Sequence, residues 1–170
     1  MEIKNHQEIG RDLQLFFFDE VSPGSCFFLP HGTIIYNRLI DYIRALYKEC
    51  GYHEINTPVM CHQSLWEKSG HWDKYRENMF LLQKERYSEN QDNSNEIFSE
   101  QKVYSLCGMG CPKGCIVFEH INPSYRQLPL RLADFSPLHR NELHGALRGL
   151  TRVKLFHQDD AHIFCQANRI

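Results

Sequence analysis

From Thr33 to Cys50, apolar side chains recur at Ile35, Leu39, Ile43, Leu46 and Cys50, while Asp41, Arg44 and Lys48 fall elsewhere. This three-and-four spacing predicts an amphipathic helix. Gly51 is suited to the position just past its end, and Tyr52 to Met60 then predicts a strand interrupted at Pro58. Upstream, the aromatic run Leu15 to Phe18 falls within an expected helix from Gly10 to Glu20 that ends at the Ser22-Pro23-Gly24 turn. Cys26 to Leu29 reads as a short apolar strand closed by Pro30.

Toward the C-terminus, Leu128 to Phe135 is apolar enough for a buried strand, and Arg152 to Phe156 alternates charge with hydrophobe as a half-buried strand does. The polar, glycine-containing stretch from Asn141 to Thr151 between them predicts an antiparallel strand-loop-strand unit. From about 83 to 102 the sequence turns to Glu, Asn, Ser, Gln and Asp with no hydrophobic period, which predicts a solvated polar insertion.

With 170 residues, 42% of them hydrophobic, the chain makes one domain with enough apolar surface for a core. A formal net charge of −2 is no general footprint for nucleic acid, so any RNA contact falls to local arginines or to parts outside this sequence. Seven cysteines without a signal peptide suggest thiols in a reducing compartment. The apolar run Leu13 to Phe18 is too short to cross a membrane, so the chain is expected to be soluble and cytoplasmic.

Candidate chemistry concentrates between His139 and Cys165. On a hairpin, Arg140 and Glu142 share a face, one a bidentate cation for phosphate or carboxylate, the other an acceptor for an exocyclic amine. Arg152, Lys154 and Phe156 alternate on the second strand, and an aromatic beside guanidinium groups suits a purine and its phosphates. A surface hairpin laced with salt bridges fits the same pattern. Cys107, Cys111 and Cys115 recur at intervals of four, a possible zinc site although not a common zinc spacing; buried free cysteines are the other reading.

The runs FSPLHRNE and GLTRVKLFHQDDAHIFC resemble motif 2 of the class II aminoacyl-tRNA synthetases, and in detail the threonyl-tRNA synthetase family. IGRDLQLFFFDEVSPGSCFFLPHG, LWEKSGHWDKYRENMF and YRQLPLRLADF are similar to the same family in order and spacing. The likeness runs from about Ile9 to Ile170, and the helix, Gly51, strand and Pro58 resemble motif 1, which in the family builds a dimer interface. The resemblance therefore implies an α+β fold, with a mixed, largely antiparallel sheet and flanking helices, in a class II synthetase-like catalytic domain over residues 1–170, C-terminally incomplete because motif 3 is expected to lie beyond Ile170.

The family's activity is ATP-dependent formation of threonyl-adenylate, with magnesium accompanying ATP, followed by transfer to tRNA(Thr). The resemblance assigns Arg140 to the α-phosphate and the amino-acid carboxylate, and Glu142, Arg152 and Phe156 with Arg140 to ATP. Met109, Gln158 and Asp160 surround threonine, Asp160 accepting from its hydroxyl. Cys111 and His162 are implied ligands of a zinc ion whose third ligand is absent from this chain. The family pattern Lys-Pro-Met-Asn-Cys-Pro-Gly-His is replaced by Cys107, Gly108, Met109, Gly110, Cys111, Pro112, Lys113 and Gly114, so the surroundings of Cys111 differ. Cys107 and Cys115 are possible replacement thiolates, and His120, His139 or His157 possible replacement imidazoles. Two alternatives to an enzyme stand beside it: a truncated, non-catalytic dimerisation or binding module, and a metal module built on the three cysteines. The isolated chain is expected to be inactive without motif 3.

Overall fold

A computed structural model describes residues 4–82 and 103–169. The polar stretch expected at 83–102 lies outside them. Helix α1 (His6–Asp12) starts earlier than the hydrophobic pattern predicts, because Asn5 and Glu8 form a capping box at its N-terminus. The expected helix from Gly10 to Glu20 does not form. Gln14 takes a positive φ of 53°, and the phenylalanines pair as a hairpin of β1 (Phe16–Phe17) and β2 (Phe27–Phe28). Aromatic residues favour strands, and Phe17 stacks on Phe27 with ring centroids 5.0 Å apart. The Phe16 ring lies against Gly10, where a Cβ would collide with it.

Helix α2 (Pro30–Glu49) begins at Pro30 rather than Thr33, since a proline suits the first turn of a helix. Its inner face is Gly32, Tyr36, Ile40, Ile43 and Tyr47, and Gly32 fits tightly under the Leu15 carbonyl. Of the predicted apolar stripe, Ile35, Leu39, Leu46 and Cys50 are exposed. Past Gly51 (φ +72°), Pro58 divides the expected strand into β3 (His53–Ile55) and β4 (Met60–His62), which join different ladders.

Helices α3 (Gln63–Lys68) and α4 (His71–Tyr75) follow, then β5 (Leu81–Leu82), β6 (Tyr104–Leu106), α5 (Cys111–Ile121), β7 (Leu130–Asp134), β8 (Pro137–His139), β9 (Leu155–His157) and β10 (Asp160–Phe164). Strand β7 is central, antiparallel to β10 and parallel to β3, and its Leu132, Ala133 and Asp134 are buried. Strands β4, β6 and β5 form a second, antiparallel ladder. The architecture is α+β with mixed, largely antiparallel pairing, divided into four small sheets among the described residues.

The expected hairpin changes its first strand. Asp134 accepts a bond from the Ser136 backbone N–H at 2.9 Å, which turns the chain out of β7; it resumes as β8, and β8 pairs with β9. The second strand is Leu155–His157 rather than Arg152–Phe156. A core of Trp66, Met79, Cys107 and Leu138 packs under these ladders with Cys61, Trp72, Leu81 and Phe156 around it.

Candidate nucleotide and metal site

Successive side chains of a strand alternate faces, so Asp160, His162 and Phe164 share one side of β10. Helix α5 crosses that side, held by Phe118 stacked on Phe164 with ring centroids 4.1 Å apart. Its N-terminus comes close because two residues lack side chains. A Cβ on Gly110 would strike the Asp160 carboxylate, and one on Gly114 would lie 3.4 Å from His162 Nδ1. Cys111, the first residue of α5, thereby meets both: its sulfur, a carboxylate oxygen of Asp160 and a ring nitrogen of His162 all lie within 4.8 Å of one another.

This donor set fits zinc: a thiolate, an imidazole and a carboxylate are its usual ligands. Burial raises the Cys111 thiol above its ordinary range, and the Asp160 carboxylate adds to the rise. Metal binding would have to displace that proton, which makes affinity pH-dependent. Cys111 and His162 are thus brought together, with Asp160 as a third potential donor beside them.

The replacement donors are placed elsewhere. Cys107, just past β6, is fully buried, with its sulfur 3.3 Å from that of Cys61. Cys115 lies one helical turn beyond Cys111 and is exposed. Cys107 is thus held away from Cys111 and Cys115, and the three thiols do not converge. His120, His139 and His157 are outside the Cys111, Asp160, His162 group.

The second half of the site lies along β8 and β9. The Arg140 backbone N–H donates to the Lys154 carbonyl at 2.8 Å, its Nε donates to the Gly108 carbonyl at 3.2 Å, and its guanidinium sits 4.9 Å over the Phe156 ring. Glu142 is held by Arg152 through bonds of 2.9 and 3.1 Å to one carboxylate oxygen. Arg140, Glu142, Arg152 and Phe156, with neighbouring Thr151 and Val153, line one cavity of about 330 Å³. All four residues expected to contact ATP converge. Segment 108–111 links the halves, since Gly108 anchors Arg140 and Cys111 faces Asp160. Met109 lies half-buried on that segment, while Gln158 is exposed between β9 and β10.

Two buried features escaped the sequence reading. Lys113 is 2% exposed, donates to the Pro58 carbonyl at 3.2 Å and lies 3.9 Å from Asp134, which also accepts from Thr57 and Ser136. The Cys61–Cys107 contact is the other. Alternation along β10 could have placed Asp160 beside His162, but no local signal paired residues so distant in sequence.

The family model for the tRNA synthetase class II core domain (G, H, P, S and T) matches residues 94–170. Threonine-tRNA ligase 1, cytoplasmic, of Homo sapiens is 52% identical over 167 residues, covering 98% of this chain and 21% of that protein. Over nearly its whole length the chain matches one segment of the class II threonyl-tRNA synthetases. A structure described as the RNA binding domain of threonyl-tRNA synthetase from Cryptosporidium parvum Iowa II superposes with a TM-score of 0.84 at 50% identity, covering 96% of this chain and 38% of that one. The mitochondrial threonine-tRNA ligase of Homo sapiens is 47% identical over 99% of this chain and 24% of its own length. The chain therefore spans about a fifth to a quarter of these ligases. Among the described residues, no helix is long and apolar enough to cross a membrane.

Proposed function

We propose that this chain carries the threonine- and ATP-binding part of a threonine-tRNA ligase, forming threonyl-adenylate and serving its transfer to tRNA(Thr), and that residues 1–170 belong to one synthetase catalytic domain. The observation that carries the reading is the Cys111, Asp160 and His162 group joined by segment 108–111 to the Arg140–Phe156 pocket. A purine fits against the Phe156 face with Glu142 as acceptor for its exocyclic amine. Arg140 and Arg152 then neutralise the triphosphate that magnesium accompanies.

The threonine carboxylate is itself the nucleophile, so the chain supplies position and charge rather than a base. One carboxylate oxygen attacks the α-phosphorus, the bond to the bridging oxygen breaks, and pyrophosphate leaves while Arg140 stabilises the developing charge. Cys111, His162 and Asp160 would hold zinc, or Asp160 would turn to the threonine hydroxyl while Met109 and Gln158 border the amino acid. Bound zinc would coordinate the amino and hydroxyl groups of threonine. Valine, which lacks the hydroxyl, is separated from threonine only weakly by an apolar pocket.

The exposed apolar stripe on α2 supports a homodimer through the motif 1 region. It equally favours the second reading, a non-catalytic dimerisation module. The cytoplasm is the proposed site of action, following the cytoplasmic relative. Threonine-dependent ATP-pyrophosphate exchange by the purified chain tests the choice. Exchange with threonine and not valine, by this chain or by a longer one that supplies motif 3, supports the enzyme, and its absence from both at saturating ATP and zinc supports the dimerisation module.

A further inference from the structure

Strands β4 and β6 run antiparallel with Cys61 opposite Ser105, and the Cys107 N–H extends the ladder by donating to the Val59 carbonyl at 2.8 Å. Ser105 and Cys107 are two apart on one strand, so Cys61 and Cys107 are diagonal neighbours on the same face. The Cys107 thiol donates to the Cys61 sulfur across 3.3 Å. A disulfide requires the sulfurs at about 2.05 Å, so bond formation needs them to close by roughly 1.3 Å.

We propose that Cys61 and Cys107 form a reversible dithiol/disulfide couple, oxidised by hydrogen peroxide and reset by a dithiol reductant. Cys61 is half-buried and Cys107 fully buried, so peroxide meets Cys61 first. The hydrogen bond from Cys107 holds the Cys61 thiol below its ordinary range against the opposing effect of burial, and the Lys113 ammonium assists. The Cys61 thiolate attacks one peroxide oxygen, the O–O bond breaks, and the departing hydroxide takes a proton to leave as water. The resulting sulfenic acid is attacked by the Cys107 sulfur, which loses its proton to the departing hydroxyl and releases a second water. The two sulfurs give up two electrons and peroxide is reduced to two waters.

The couple is set against the candidate site. The Cys107 carbonyl accepts from the His139 N–H at 2.8 Å, and the next carbonyl, that of Gly108, accepts from Arg140. Closing the bond acts on the segment that leads to Cys111.

The test is peptide mapping of the metal-free 170-residue chain after peroxide treatment and alkylation of remaining thiols. The expected result is a Cys61–Cys107 linked peptide that disappears with a dithiol reductant and is not formed by Cys61→Ser or Cys107→Ser, each checked for folding by circular dichroism. Should either variant unfold, protection of Cys61 from alkylation in the oxidised wild-type chain, restored by reductant, is the equivalent readout. Alkylation of both residues after peroxide, a Cys61 stopped at sulfinic acid, or a linkage to another cysteine instead would overturn the proposal.

Discussion

Arg140 performs two tasks with one side chain: its Nε fixes the Gly108 carbonyl while its guanidinium plane covers Phe156. A lysine keeps the charge but loses the planar fork and the stack. Arg140→Lys is expected to weaken ATP binding by about tenfold or more, on the order of 1.5 kcal/mol, in calorimetric titration. Unchanged affinity would remove Arg140 from the nucleotide site. At this scale the sequence was informative: Arg140, Glu142, Arg152 and Phe156 were singled out by residue type and motif, and they line one cavity. The role of Gly110 was not legible, because its value lies in the space it leaves for an Asp160 carboxylate fifty positions along the chain.

At the scale of elements, α5 is fixed to the sheets by what lies beneath its first turn. Lys113 and Asp134 are 2% and 7% exposed, and removing one partner of such a pair strands the other charge. Lys113→Met is expected to lower unfolding free energy by about 3 kcal/mol in urea denaturation. A change within error would show that the bonds from Thr57 and Ser136 suffice for Asp134. The hydrophobic pattern located α2 and the break at Pro58 because helical period and proline are local signals. It failed at Phe16–Phe17, where pairing with Phe27 and Phe28 and the stack of Phe17 on Phe27 outweigh any helical reading, and at the β8–β9 hairpin, where the Ser136 turn redirects the chain.

For the whole molecule, the predicted α2 stripe carries the clearest unspent apolar surface. Its Ile35, Leu39 and Leu46 are 49%, 61% and 37% exposed. If this face joins two copies, the wild-type chain sediments as a dimer and Ile35→Asp with Leu39→Asp sediments as a monomer without loss of helix content. A monomeric wild type would refute that assembly. The amphipathic period announced a face to be covered; whether by the core or by another chain depended on tertiary packing, which turned Gly32, Tyr36 and Tyr47 inward instead.

Cys111, Asp160 and His162 are proposed to act together on a metal ion that reads threonine. Cobalt(II) titration tests it most directly, because thiolate-to-metal absorption reports Cys111 as a ligand. One equivalent is expected to bind, with loss of the absorption in Cys111→Ser, weaker binding in His162→Ala, and a spectral shift on adding threonine but not valine. Absorption that survives Cys111→Ser, or no binding at all, would contradict it.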